Sequence, residues 1–268
     1  MENAVPTSTL LAAVLALPTH DRPLVIDVRR ASVFADAADL MAGALCRDPG
    51  DVSRWMTALP PAADVVVYCV HGHQVSQGVA QALREAGWKA RFLDHGLEGW
   101  REAGGAVVPK PAGARTRWVT RARPKIDRIA CPWLVRRFVD PGAGFLYAEA
   151  QDVQAVALEQ SATPFDVAGA AFGHHGERCS FDAFVEHFGL GGDPALARLA
   201  TIVRAADTGH PGSAAEAAGL LAMSTGLSQM IPDDLEMLDR AMILYDALYA
   251  ACRMGLDDAR SWRIEACR

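Results

Sequence analysis

The chain has 268 residues, of which 51% are hydrophobic and 22% charged. That is apolar material for two ordinary cores, and it excludes a disordered chain. The formal charge of −6 excludes a protein that coats nucleic acid through its overall charge, though it leaves room for a local basic patch.

Residues 8–17 read as a first helix. Their apolar run, 10–17, is far shorter than the ~20 residues of a membrane span. No Lys or Arg precedes Arg22, whereas a secretion signal starts positive. Cys46, Cys69, Cys131, Cys179, Cys252 and Cys267 are widely spaced, with no CxxC. Free thiols in a reducing compartment fit that spacing better than a disulfide framework. These features predict a cytoplasmic chain with no membrane segment.

Leu24-Val25-Ile26 forms a short strand candidate ending at Asp27. A helix is predicted over 51–59. Val65-Val66-Val67 is continuous and β-branched, as in a strand buried on both faces. Helix 76–87, strand 90–93 and helix 97–103 follow. Strands alternating with helices predict an α/β domain, a mostly parallel sheet with helices on both faces. Residues 104–117 are rich in Gly, Pro and small side chains and contain the expected linker, 109–116, between domains 1–108 and 117–268. An extended edge segment of the first domain is the other reading of this stretch.

Beyond it, 118–121 and 144–148 read as short strands and 127–138 as a helix with Pro132 in its first turns. Asp193 is placed to cap a helix carrying Leu196, Leu199, Val203 and Ala206. Another helix is predicted over 216–229. Leu235, Leu238, Met242, Tyr245, Tyr249 and Cys252 form one stripe on a last helix, which reads as core. The second domain is thus expected to be mainly α-helical.

Three stretches carry chemistry. In the first, a buried strand runs into Cys69, then a short loop with Gly72, then a helix. A thiol between a strand end and a helix N-terminus faces converging amides, which favour thiolate and can hold an anion. A buried small hydrophobe is the alternative. The second stretch, 117–138, holds seven basic residues against one acidic. Arg121, Arg123, Lys125 and Arg128 are its candidates for an anion-binding face, with solvated surface as the alternative. The third, 172–182, gathers His174, His175, Glu177, Cys179 and Asp182, ligand types for a transition metal. Asp207 and His210 complete a site only if the fold brings them close, and a hydrogen-bonded polar network is the alternative. The metal candidates are Asp127, His174, Cys179 and Asp207.

The loop Cys69-Val70-His71-Gly72-His73-Gln74, with its following helix, resembles the active loop of a single-domain rhodanese. Asp27-Val28-Arg29 matches that family's early Asp-x-Arg, and Phe92-Leu93 with Gly96 to Trp100 and Gly104 resembles its closing segment. The likeness covers residues 8–108. It implies a sulfurtransferase in which Cys69 carries sulfur as a persulfide stabilised by the amides of Val70, His71, Gly72, His73 and Gln74, with Asp27 and Arg29 nearby. Gln74 stands where many rhodaneses place Arg, and His95 where Gly is usual. The loop itself carries no fixed cation; His71 and His73 are its candidates for partial charge.

Residues 117–253 resemble the C-terminal domain of ChrB-type chromate-resistance proteins. The likeness rests on residues 125–134, 163–167, 173–181, 204–207 and 245–249. It implies a link to chromate resistance and, in some members, control of a resistance operon. The combined expectation is a persulfide sulfurtransferase serving chromate or oxyanion stress. Its partners are a small sulfur donor or oxyanion such as thiosulfate or chromate, and a thiol acceptor, without nucleic acid or membrane. Sulfur transfer requires no cofactor; a transition metal in the second domain is a separate expectation. One alternative is a chromate-responsive binding or regulatory protein whose rhodanese domain senses; another is a C-terminal metalloprotein domain. The sequence carries no signal of oligomeric state.

Overall fold

The computed structural model describes residues 3–10, 22–60, 63–110 and 116–254. Most of the predicted first helix, the linker residues 111–115 and Cys267 lie outside the described residues. The chain divides into two units. One comprises the residues up to Thr116 together with Leu134–Gly144; the other comprises Arg117–Trp133 and the residues from Phe145 onward.

Among its described residues the first unit has seven strands: β1 Ala4–Val5, β2 Leu24–Asp27, β3 Asp39–Met41, β4 Leu45–Cys46, β5 Asp64–Tyr68, β6 Lys89–Leu93 and β7 Val107–Pro109. Five form a parallel sheet in the order β1-β6-β5-β2-β4. β5 is central, and Val65 through Tyr68 are fully buried, which is why the β-branched run is unbroken. Val65 and Val67 pack with Val79, Ala80 and Leu83 of helix Gln74–Glu85. Those three recur at helical spacing. Val66 and Tyr68 point to the opposite face, where the Tyr68 hydroxyl donates to Asp27 Oδ2 (2.8 Å) and accepts from the Met41 amide (3.1 Å). The stretch expected as linker begins inside this unit, since β7 pairs antiparallel with β3.

The second unit opens with β8 Arg117–Arg121, flanked by β9 Gly144–Ala148 and β10 Thr163–Pro164. Val119 packs on Val153 and Ala157 of helix Val153–Gln160. On the alternate face Trp118 meets Phe165, Phe172, Phe184 and Phe188. Helices Ser180–His187, Pro194–Asp207, Ala217–Met230 and Asp234–Met254 follow. Asp193 accepts from the amides of Ala195 and Leu196, capping the second of these as expected.

Three differences from the sequence reading have local causes. Helix Ile126–Leu134 gives way at Val135–Val139 to a wider π turn. Pro132 lies within the helix and has no N–H for the Arg128 carbonyl; the Tyr147 hydroxyl donates to that oxygen instead (3.0 Å). Leu235 is 47% exposed while Leu238, Met242, Tyr245 and Tyr249 are buried, so the core stripe starts one turn later than its period suggests. Leu134–Gly144 groups with the first unit rather than with 117–268; Phe138 O accepts from the Gly43 amide (2.8 Å), and Asp140 Oδ2 accepts from Thr116. Among the described residues no helix is long and apolar enough to cross a membrane.

Candidate functional site

Cys69 follows β5 directly, at the carboxyl end of the central strand, where open parallel sheets place their ligands. Residues 70–73 turn into helix Gln74–Glu85, with His73 as N-cap. Gly72 has φ +73° and Gly96 φ +57°; a Cβ on either would stand 2.5 Å or less from a backbone oxygen, Leu93 O or Cys69 O respectively. Only glycine tolerates both the left-handed backbone and this approach. The carbonyls of Cys69 and Val70 accept from the amides of Leu97 (2.9 Å) and Glu98 (3.2 Å). With those oxygens turned toward helix Gly96–Glu102, the amides of His71, His73 and Ser76 turn toward the sulfur.

Cys69 is 7% exposed, with Sγ 3.2 Å from Ser76 Oγ. Burial pushes its pKa up, but the Ser76 hydroxyl and the three amides outweigh it and hold the thiol below its ordinary value. The Ser76 hydroxyl also lies 3.2 Å from the His73 carbonyl oxygen, to which it donates. A thiol can donate to Ser76 Oγ, whereas a thiolate draws the hydroxyl proton to itself. Cys46 contrasts with it: desolvation and the Asp27 charge push its pKa up to about 11.

A cleft of about 580 Å³ opens beside Cys69, lined by Arg29, Arg30, Val70, His71, His73 and Gln74 among others. His71 Nδ1 is 2.9 Å from Glu98 Oε2. Asp27 and Arg29 lie at the end of β2, where they form a buried bidentate pair (2.6–3.0 Å); Arg29 also donates to the Asp39 carbonyl. Removing one partner of such a pair costs roughly 3–5 kcal/mol, so this pair braces the strand end. Arg30, which sequence reasoning passed over, is exposed and is the cation at the cleft with no described carboxylate partner. Its only signal was its place immediately beyond the buried pair.

In the second unit Asp127, His174 and Asp207 converge. His174 Nε2 lies 3.5 Å from Asp127 Oδ2, 3.1 Å from Asp207 Oδ2 and 3.4 Å from Asp166 Oδ1. Asp127, near the start of helix Ile126–Leu134, is 1% exposed, and its Oδ2 accepts from the Ser180 amide (2.5 Å). Asp207 ends helix Pro194–Asp207. Burial and the neighbouring carboxylates raise Asp207 to about 6; the hydrogen bond to Asp127 raises His174 to about 9. Cys179 is not among the converging ligand atoms. Burial and the charges of Asp127 and Asp182 push its thiol far up. Asp166, absent from the expected set, reaches the cluster from a residue with φ +51°.

The expected anion face is largely committed inside the unit. Arg121 and Arg128 pair with Asp166 (2.9 and 3.3 Å). Arg123 donates to the carbonyls of Ser228 and Pro232. Lys125 is exposed.

A parallel sheet with an amide-cradled thiol at the end of its central strand defines a rhodanese-like domain, and the rhodanese-like domain family matches residues 11–103. The ChrB C-terminal domain family matches residues 118–252, half of the chain, and the chain belongs to that family. Protein ChrB of Cupriavidus metallidurans is 41% identical over 132 residues, 49% of this chain and 39% of that protein, so the chain spans about two-fifths of that relative's length. Among solved structures, a full-length protein from Lactobacillus plantarum is 28% identical over 40% of this chain and 88% of its own, with a TM-score of 0.37. A thiosulfate sulfurtransferase from Pseudomonas aeruginosa is 24% identical over 60% of this chain and 27% of its own, with a TM-score of 0.36.

Proposed function

We propose that the first unit is a persulfide sulfurtransferase with Cys69 as its catalytic residue, acting in resistance to chromate or related oxyanion stress through the ChrB-type domain. The observation that carries this reading is the Cys69 sulfur, held below its ordinary pKa by Ser76 and the amides of a six-residue loop. The Cys69 thiolate attacks the outer sulfur of a donor such as thiosulfate. The donor S–S bond breaks, its electron pair leaves with sulfite, and Cys69 holds a persulfide whose terminal sulfur is anionic. A thiolate acceptor then attacks that sulfur, and Cys69 departs as thiolate. The loop amides that stabilise thiolate also suit the persulfide anion. Arg30 supplies the positive charge that the loop lacks and draws the donor into the cleft. No cofactor enters these steps, and a reducing compartment such as the cytoplasm keeps the thiol available.

The test is cyanide-dependent thiocyanate formation from thiosulfate. Cys69→Ser is expected to abolish it. Arg30→Gln is expected to raise KM for thiosulfate by about tenfold, the effect of ~1.4 kcal/mol, with a smaller change in kcat. Equal activity in wild type and Cys69→Ser would overturn the reading. That Arg121, Arg123 and Arg128 are engaged by groups of their own unit favours the enzymatic reading over the regulatory alternative.

A further inference from the structure

The second polar cluster holds a buried carboxylate that its hydrogen bonds leave partly unpaired. Arg121 and Arg128 face Asp166. Asp127 and Asp207 meet at the single imidazole of His174. Asp127 is 1% exposed. A buried carboxylate is costly to keep unless partners or a cation meet both its oxygens. The observation that points to a ligand is geometric. The Asp127 carboxylate points into the cluster through Oδ2, while its other oxygen, Oδ1, is buried with no hydrogen-bond partner. Native interiors rarely leave a carboxylate oxygen bare, and such an atom calls for a missing ion or water.

We propose that Asp127, His174 and Asp207 form a binding site for one divalent first-row transition cation of the zinc and manganese class. One ligand atom from each residue lies within 4.8 Å of the others, a spread that closes onto an ion with small side-chain shifts. Two carboxylate oxygens and an imidazole nitrogen match borderline-hard cations rather than thiolate-seeking ones. The buried Cys131 and Cys179 thiols stay outside the ligand set. His174 would bind through its unprotonated Nε2. Asp166, Ser180 and the two arginines surround the ligands and fix their orientation, as outer partners of metal ligands do. Three protein ligands leave a position open, and His174 borders a cleft of about 800 Å³ that Arg121 and Asp166 also line. That position suits water or a small oxyanion.

The test uses the full chain without a polyhistidine tag, stripped with chelator and titrated separately with Zn²⁺ and Mn²⁺. Stoichiometry is read by elemental analysis and folding by thermal melting. One zinc per chain and a raised Tm are expected. His174 is 42% exposed on its side chain, so His174→Gln should fold; it and Asp207→Asn are each expected to weaken binding by about tenfold or more. Cys179→Ser and Cys69→Ser are expected to leave stoichiometry unchanged. Zinc well below one per chain with no shift in Tm would overturn the proposal. So would full binding by both His174→Gln and Asp207→Asn, or loss of binding in Cys179→Ser.

Discussion

The sulfur of Cys69 and that of Cys46 differ in a way surface exposure would invert. Cys46 is exposed, yet its pKa is raised to about 11; Cys69 is nearly buried, yet its pKa is lowered. Thiolate fraction governs alkylation when access is sufficient. Iodoacetamide at pH 7.5 is therefore expected to label Cys69 before Cys46, and peptide mass mapping of the adducts checks it. Ser76→Ala removes one of the groups holding the thiolate, so the pH midpoint of Cys69 labelling should move upward; an unmoved midpoint would assign the whole effect to the amides. This residue was legible in the sequence because strand, thiol, glycine and helix are contiguous. Arg30 was not, because the Asp-x-Arg resemblance drew attention to Arg29, whose guanidinium is locked onto Asp27. Asp166 was hidden for another reason: it reaches His174 through a left-handed backbone conformation that an aspartate does not announce.

Elements were most legible where one period ran without interruption. Helix Gln74–Glu85 starts one or two residues before its expected position, and β9 has the expected bounds. Periodicity failed where tertiary partners decide the phase, as at Leu235, or where one residue lacks a donor, as at Pro132. The helix around Pro132 makes a prediction of its own. Tyr147→Phe strips the donor from the Arg128 carbonyl, a loss of about 1 kcal/mol. Urea unfolding should show a lower midpoint with an unchanged slope. No shift would mean that water replaces the phenol at that oxygen.

At the scale of the molecule, the excess of acidic groups lies mainly in the residues after the linker, and some of those carboxylates stabilise the second unit only while ionised. Asp182 is the clearest case. Its burial works against ionisation, but Arg204 binds both its oxygens (2.6 and 2.8 Å), the Cys179 amide adds a third donor (3.0 Å), and its pKa is lowered. A carboxylate whose folded pKa lies below its unfolded value contributes stability that is full above the unfolded value, near ~3.9, and lost as pH falls through the folded one. Asp182→Asn should therefore lower Tm at pH 7 and flatten its decline below about pH 4. Parallel acid declines in the two proteins would show that other carboxylates carry the effect.

The path of the chain has a consequence for how the two halves can be separated. Because Leu134–Gly144 returns to the first unit, the polypeptide passes between the units three times. A gene truncated after Thr116 would remove a piece of the first unit's own fabric, including the Phe138 carbonyl that receives the Gly43 amide and the Asp140 carboxylate that receives Thr116. A gene beginning at Arg117 would in turn carry a stretch that has lost its setting. Shuffling either half as a free-standing cassette would require the severed crossings to be rebuilt.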